Sequence, residues 1–126
     1  MPVLPGSTFL DTTDNPHLWV VVAGPDADGK VIFVSFTSIK GRDDRTTVCA
    51  AGEHPFIEKP TVVAYKYAMH VEVAEIEAQI ASGQLVRRED CSVPLLKRVA
   101  DGLLQSDSTP LGVANAYVDI LRTPKQ

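Results

Sequence analysis

The sequence has few cysteines, few aromatic residues and only short hydrophobic runs. Its 126 residues include 2 cysteines and 1 tryptophan, and aromatic residues make up 6% of the chain. Cys49 and Cys91 lie far apart and have none of the close Cys or His spacings that are typical of zinc sites and redox motifs. These features exclude a disulfide-dense secreted fold, and we expect two reduced thiols in a cytoplasmic protein.

The hydrophobic runs are too short to cross a membrane. The longest ones, such as residues 18–23, fall far below the roughly 20 apolar residues that a transmembrane helix needs. A basic segment followed by an apolar one, which is the pattern of a secretion signal, is also missing at the start. We therefore expect neither a membrane partner nor secretion.

Positive charge and cofactor motifs are scarce as well. Lys and Arg number 12 against 16 Asp and Glu, which gives a net charge of −4. A broad basic face is therefore excluded, and any contact with nucleic acid has to be local. The sequence has no glycine-rich phosphate loop, no HExxH or GxSxG motif and no EF-hand loop. We expect that the protein uses neither a cofactor nor a metal.

The residues that are present predict a single α+β domain over residues 1–126. Residues 1–16, rich in proline and polar side chains, predict an irregular arm. Over residues 17–70, short β-branched and aromatic runs separated by turn residues predict an antiparallel β-meander. Its four strands are predicted at residues 18–23, 30–38, 46–50 and 61–67. Trp19, Phe33 and Cys49 are predicted core residues.

Residues 71–121 are predicted to be mainly helical. Hydrophobic residues recur at helical spacing from residue 73 to residue 80, and Gly83 can end that helix. Residues 84–88 predict a short edge strand, Ser92 caps a second helix, and a third begins near Pro110. The inner faces are predicted to consist of Leu95, Leu96, Val99 and Leu103 in the second helix and of Leu111, Ala114, Val118 and Leu121 in the third.

Three histidines are the candidates for proton transfer, because histidine titrates near neutral pH. His17 precedes the first strand, and Thr37 and Ser38 end the second, so a hairpin brings them to one edge of the sheet. There, His17 can act as acid or base while the hydroxyls hold a phosphate oxygen. Alternatively, His17 only bonds to a loop carbonyl where the strand begins.

His54 is the second catalytic candidate. Pro55 forces the residue before it into an extended conformation, so we expect the His54 ring to be accessible. Alternatively, His54 only holds the loop before the fourth strand in place. His70 ends that strand, and we interpret it as a structural residue at an edge.

The candidate substrate-binding residues lie on and before the fourth strand. Strand alternation places Tyr65 and Tyr67 on one face, where a tyrosine can stack an unpaired base, and Lys66 on the other. Four cationic side chains predict a local basic patch, unless they only face solvent. These are Lys59 and Lys66 together with Arg42 and Arg45.

Four segments, in this order, resemble the PemK/MazF-type toxin family. They are residues 17–25 (HLWVVVAGP), 34–38 (VSFTS), 60–67 (PTVVAYKY) and 92–99 (SVPLLKRV), and the resemblance covers about residues 6 to 104. It implies a small SH3-like β-barrel with C-terminal helices. It further implies a homodimer that cleaves single-stranded RNA without a metal, in a toxin-antitoxin system with a cognate antitoxin.

The resemblance also implies roles for particular residues. In that family, an arginine before the first strand and a Thr or Ser at the end of the second are catalytic. Thr37 and Ser38 match the second element, whereas Pro16 and His17 stand where the family has Arg-Pro. The resemblance therefore implies that His17 replaces the arginine as acid or base, with Thr37 and Ser38 as phosphate donors.

Two other functions remain open. One is a non-catalytic SH3-like module that binds a protein or peptide in the same groove, which the acidic net charge favours. The other is an antitoxin-like or structural dimer whose subunits meet through the apolar stripes of the second and third helices. If His17, Thr37 and His54 lie within about one nucleotide of one another, the geometry favours catalysis, and their dispersal favours the module.

Overall fold

A computed structural model of the protein describes residues 2–41 and 43–122. Arg42, one member of the predicted basic patch, lies outside these residues. The elements are β1 (Thr8–Asp11), β2 (Leu18–Ala23), β3 (Lys30–Ser38), β4 (Val48–Cys49), β5 (Thr61–Val63), a 3₁₀ turn (Tyr65–Tyr67), β6 (Met69–Glu72), α1 (Val73–Ala81), β7 (Leu85–Arg88), α2 (Val93–Gln105) and α3 (Leu111–Arg122).

The strands form one antiparallel sheet in the order β4-β5-β3-β2-β1-β7, with β6 also paired to β3. Strand β3 is long enough to have two partners on one side, because residues 30–33 pair with β6 and residues 36–38 pair with β5. The predicted α+β class and antiparallel sheet are confirmed. Within the described ranges no pairing joins β4 to β7, so the sheet is not closed into the expected barrel.

Side chains alternate across the sheet, so its two faces form two separate cores. One face, with residues such as Val20 and Val34, packs against α2 and α3. The other face, with residues such as Phe9 and Phe33, packs against α1 through Ile76. Helix α1 contacts mainly β6 and β7. The second face therefore stays open where β2 begins and β3 ends.

The predicted irregular arm over residues 1–16 is wrong in part, because it contains β1. Thr8 pairs with Val20, and Phe9 pairs with Trp19 on one side and with Arg87 on the other. Phe9 is fully buried. The four residues of β1 lie between proline and polar residues, so the sequence pattern does not indicate a strand there. They form one because they pair with β2 on one side and with β7 on the other.

The predicted strand over residues 61–67 is also wrong in part, because β5 ends at Val63. The chain then makes a 3₁₀ turn before it pairs with β3 again as β6. Successive side chains in such a turn point about 120° apart, since it has 3.0 residues per turn. Tyr65 is therefore completely buried beneath α2, whereas Tyr67 is 60% exposed.

The first two helices agree with the sequence analysis. The Ser92 side chain accepts a hydrogen bond from the Leu95 amide at the start of α2, and the apolar stripe of α2 is buried. The predicted inner stripe of α3 is wrong, because Leu111 and Leu121 are 75% and 61% exposed. The face that packs on the sheet carries Val113, Ala116, Tyr117 and Ile120. No helix of the described part is long and apolar enough to span a membrane.

We expect the substitution Gly102→Ala to destabilise the protein by at least about 2 kcal/mol, because the added methyl group has no room at this position. A Cβ atom at Gly102 lies 2.0 Å from the Tyr65 hydroxyl and 2.4 Å from the Thr47 hydroxyl. The Tyr65 hydroxyl cannot move away, since it donates to the Val99 carbonyl at 2.7 Å and contacts Thr47 at 2.7 Å. The measurement is urea-induced unfolding.

The matched control for Gly102→Ala is Gly112→Ala, also in a helix. No atom lies within 4 Å of a Cβ at this position. The higher helix propensity of alanine should make the protein slightly more stable, by up to about 1 kcal/mol. Equal stabilities of the two variants would contradict the close contact at Gly102.

Candidate functional site

The open end of the sheet holds a cleft made of two adjoining pockets. The first, here called the loop pocket, has a volume of about 490 Å³ and lies between the start of β2, the end of β3 and residues 56–61. The second, the sheet groove, has a volume of about 790 Å³ and runs along the face that α1 leaves open. His17, Thr37 and Lys40 line both pockets, so they lie where the two meet.

The hairpin of β2 and β3 places His17 beside Thr37. Trp19 pairs with Ser35 in this ladder, so the residues two positions further out, His17 and Thr37, face each other across the two strands. The His17 amide donates to the Asp11 carboxylate at 3.2 Å, which fixes its backbone. Its half-buried ring has no hydrogen-bond partner among the residues that the structure describes.

The loop pocket combines these groups with two ammonium groups. Ser38 continues the hydroxyl row of β3, and the exposed Lys40 and Lys59 lie on either side. Neither lysine has an ion-pair partner in the described part of the chain. Among the residues that the structure describes, Glu58 is the only carboxylate that lines this pocket. The pocket is thus locally cationic although the protein is acidic, which suits a phosphate group.

His54 is not part of this cleft, and the expectation of an accessible ring is wrong. The residue is only 2% exposed. Its Nδ1 accepts a hydrogen bond from the Phe56 amide at 3.0 Å, so in the neutral ring Nε2 carries the hydrogen and donates to the Glu89 carbonyl at 2.6 Å. The geometry supports the alternative interpretation, in which His54 holds its loop in place.

Tyr65 is also removed from the candidate substrate-binding residues, because its ring lies in the core and its hydroxyl bonds to α2. Burial raises the pKa of that hydroxyl. Tyr67 and Lys66 lie at the rim of the sheet groove, and the Lys66 Nζ atom is 5.0 Å from the centroid of the Tyr67 ring. Arg45 is exposed on the loop between β3 and β4.

Two other residues of the sheet groove, Trp19 and Ser35, are not among the predicted site residues. Trp19, predicted as core, is half-buried and lines the groove, as does the Ser35 side chain beside it. For Trp19 the sequence does contain a signal. Trp19 is two residues from His17, so strand alternation places both side chains on the same face of the sheet.

The Asp11 carboxylate holds two residues of the cleft, His17 and Trp19, in position. It accepts hydrogen bonds from the Trp19 indole at 3.2 Å, from the His17 amide and from Thr13. Partial burial raises the pKa of this carboxyl, but the hydrogen bonds outweigh it and hold the pKa below its usual range. Asp11 is therefore ionised at neutral pH and fixes the orientation of the indole.

The remaining titratable groups of note lie outside the cleft. His70 bonds to the Asp26 carboxylate at 2.8 Å and lines neither pocket. Burial raises the pKa of the Cys49 and Cys91 thiols to about 11 and about 12, so neither is an activated thiolate. The described residues contain no cluster of three or more His, Cys, Asp or Glu side chains that could hold a metal ion.

The two histidines should differ in their effect on stability. His54→Ala leaves the Phe56 amide unpaired and empties a buried site, so we expect a loss of about 2–4 kcal/mol. His17→Ala removes a half-buried ring that makes no hydrogen bond to any other described residue, and we expect a change of about 0.5 kcal/mol or less. Urea unfolding of both variants tests this, and a larger loss at His17 than at His54 would refute it.

Comparison with known proteins gives no family assignment. No family model matches the chain, and no curated protein shows significant similarity to it. The cleft itself is therefore the basis for any statement about function.

Proposed function

We propose that this protein is a metal-independent endoribonuclease that cleaves single-stranded RNA in the cleft. The observation that carries the proposal is that a histidine, two hydroxyls and two ammonium groups converge in one pocket, where the histidine ring and the ammonium groups have no partner in residues 2–41 and 43–122. These groups are His17, Thr37, Ser38, Lys40 and Lys59. They are the kinds of groups that an RNA phosphodiester needs for cleavage.

The reaction proceeds by attack of the ribose 2′-oxygen on the adjacent phosphorus. The His17 imidazole takes the 2′-hydroxyl proton as general base, and the bond from phosphorus to the 5′-oxygen breaks. The Lys40 ammonium gives a proton to the leaving 5′-oxygen, so the products are a 2′,3′-cyclic phosphate and a 5′-hydroxyl. The Thr37 and Ser38 hydroxyls and the Lys59 ammonium bind the phosphorane oxygens, where negative charge develops.

The proposal extends to the biological setting that the resemblance to PemK/MazF toxins implies. In that setting the protein is cytoplasmic, forms a homodimer and is neutralised by an antitoxin that blocks the cleft. The sheet is then a variant of the SH3-like barrel. The antiparallel pairing of β2 with β3, and of β5 and β6 in succession along the other side of β3, supports this.

A non-catalytic interaction module is the second candidate. His54 lies outside the cleft, so only His17 and Thr37 of the three residues come together, and this dispersal favours the module. The sheet groove favours it, because the exposed Met69 and Tyr67 give the groove an apolar side and Asp43 and Asp44 give it an acidic one. Burial raises the pKa of the Asp44 carboxyl, but the hydrogen bonds from Ser106 and Thr46 have the larger combined effect and hold the pKa below its usual range. Asp44 is therefore ionised at neutral pH. Such a groove suits a basic peptide, which would bind without being altered.

Cleavage of single-stranded RNA in the presence of EDTA tests the proposal. We expect wild-type protein to give products with 2′,3′-cyclic phosphate ends and His17→Ala to be at least about 100-fold slower, because the general base is lost. His70→Ala is the matched control, since His70 is a partly buried histidine away from the cleft, and it should keep wild-type activity. Background-level product from wild type and His17→Ala alike would exclude the nuclease and leave the module.

The contribution of Lys40 is measured separately by binding. A DNA oligonucleotide has no 2′-hydroxyl and is not cleaved, so its dissociation constant can be followed against salt concentration. Lys40→Ala should weaken binding and reduce the slope of log K against log [salt] by about 0.7, the value for one lost contact to a single-strand phosphate. Lys97→Ala, at an exposed lysine of α2 paired with Asp101, should leave the slope unchanged. An unchanged slope in both variants would mean that Lys40 does not contact phosphate.

A further inference from the structure

The floor of the sheet groove carries a polar group without a partner. Ser35 is 4% exposed, and its hydroxyl makes no hydrogen bond within the described residues, although its backbone carbonyl accepts from Ala64. It lines the groove and is not among the hydroxyls sealed from solvent. A buried hydroxyl that faces a groove without an internal partner is able to bond to whatever occupies the groove.

Trp19 lies directly across the ladder from Ser35 and forms a flat, rigid surface beside it. Its ring stacks on Phe33 with a centroid distance of 5.1 Å and an interplanar angle of 20°. Its indole N–H donates to the ionised Asp11. One face of the indole is thus covered, its edge is fixed, and the side chain still lines the open groove. Few rotamers have to be lost when a planar group stacks on it.

We propose that the Trp19–Ser35 pair binds an unpaired nucleobase, which stacks on the indole while the Ser35 hydroxyl bonds to the edge of the base. This site rests on the proposed function, because the base belongs to the nucleotide whose phosphate lies at His17 and Thr37. Two residues along a strand span about 7 Å, and the ribose of one nucleotide bridges that distance between phosphate and base.

The surroundings favour a nucleotide over an apolar peptide side chain as the occupant. Lys40 lines the groove beside the pair, and the rim carries Lys66 against the Tyr67 ring. Asp43 and Asp44 also line the groove, but both already accept hydrogen bonds, Asp43 from the Lys40 amide and Asp44 from the Thr46 and Ser106 hydroxyls. Stacking on an aromatic ring beside cationic groups is how proteins bind single-stranded nucleic acids. A serine hydroxyl is both donor and acceptor, so it bonds to any base edge and improves binding without dictating one base.

Trp19 is the only tryptophan of the chain, so its fluorescence reports the site directly. We expect DNA tetranucleotides, which are not cleaved, to quench the emission of the wild-type protein strongly at saturation. An abasic oligonucleotide with the same number of phosphates should bind through its backbone with little quenching. Equal quenching by both would overturn the proposal, because quenching would then not need a base.

Variants separate stacking from hydrogen bonding, with binding followed by the anisotropy of a labelled DNA oligonucleotide. Trp19→Leu should weaken binding about 10- to 100-fold, whereas Trp19→Phe, which keeps an aromatic surface, should lose only a few-fold. Ser35→Ala should weaken binding to base-containing oligonucleotides and leave abasic binding unchanged. If Trp19→Leu binds as tightly as wild type while its circular dichroism is unchanged, the base site does not exist.

The two hypotheses fail in different ways. RNA cleavage that depends on His17, without any quenching of Trp19, leaves the nuclease and removes the base site. Base-dependent quenching without RNA cleavage removes the nuclease and leaves a site for unpaired bases. If no oligonucleotide binds to the wild-type protein, both proposals are wrong.

Discussion

The architecture depends on β3, a nine-residue strand that holds β2 on one side and two successive partners on the other. The junction between these two partners lies opposite Ser35, whose carbonyl accepts the Ala64 amide at 2.8 Å. There, the chain leaves β5 and has to turn before β6 can pair. The 3₁₀ turn that results sends Tyr65 into one core and Tyr67 to the surface, and α1 begins only after β6. The open face of the sheet, and with it the cleft, follows from this change of partner.

Much of the fold and part of the cleft could be predicted from local patterns. The predicted hairpin of β2 and β3 placed His17 near Thr37, and the Ser92 cap located the start of α2 to the residue. Strand β1 could not be found, because four residues between proline and polar segments carry too little periodicity and their pairing partners are distant in the sequence. The burial of His54 could not be predicted for the same reason, because it depends on a residue distant in the sequence. Pro55 restricts the backbone of His54, whereas the contact of its ring with the Glu89 carbonyl holds the side chain inside the protein.

The electrostatics of the molecule are local. The net charge of −4 is that of the whole chain, but some carboxylates are paired with a basic side chain, as Asp26 is with His70 and Glu53 with Arg98. The lysines of the loop pocket have no such partners in the part of the chain that the structure describes. A ligand therefore meets the few uncompensated positive groups near the end of β3, which overall composition does not reveal.

The contact between Tyr65 and Gly102 has a consequence for finding related chains. Because the tyrosine hydroxyl occupies the space of a Cβ atom, α2 can lie this close to the sheet only if position 102 has no side chain. Position 102 can then accept a side chain only if Tyr65 and Thr47 change as well. In distant chains with this fold we therefore expect a glycine in the last turns of the helix wherever a tyrosine follows the short β-branched strand.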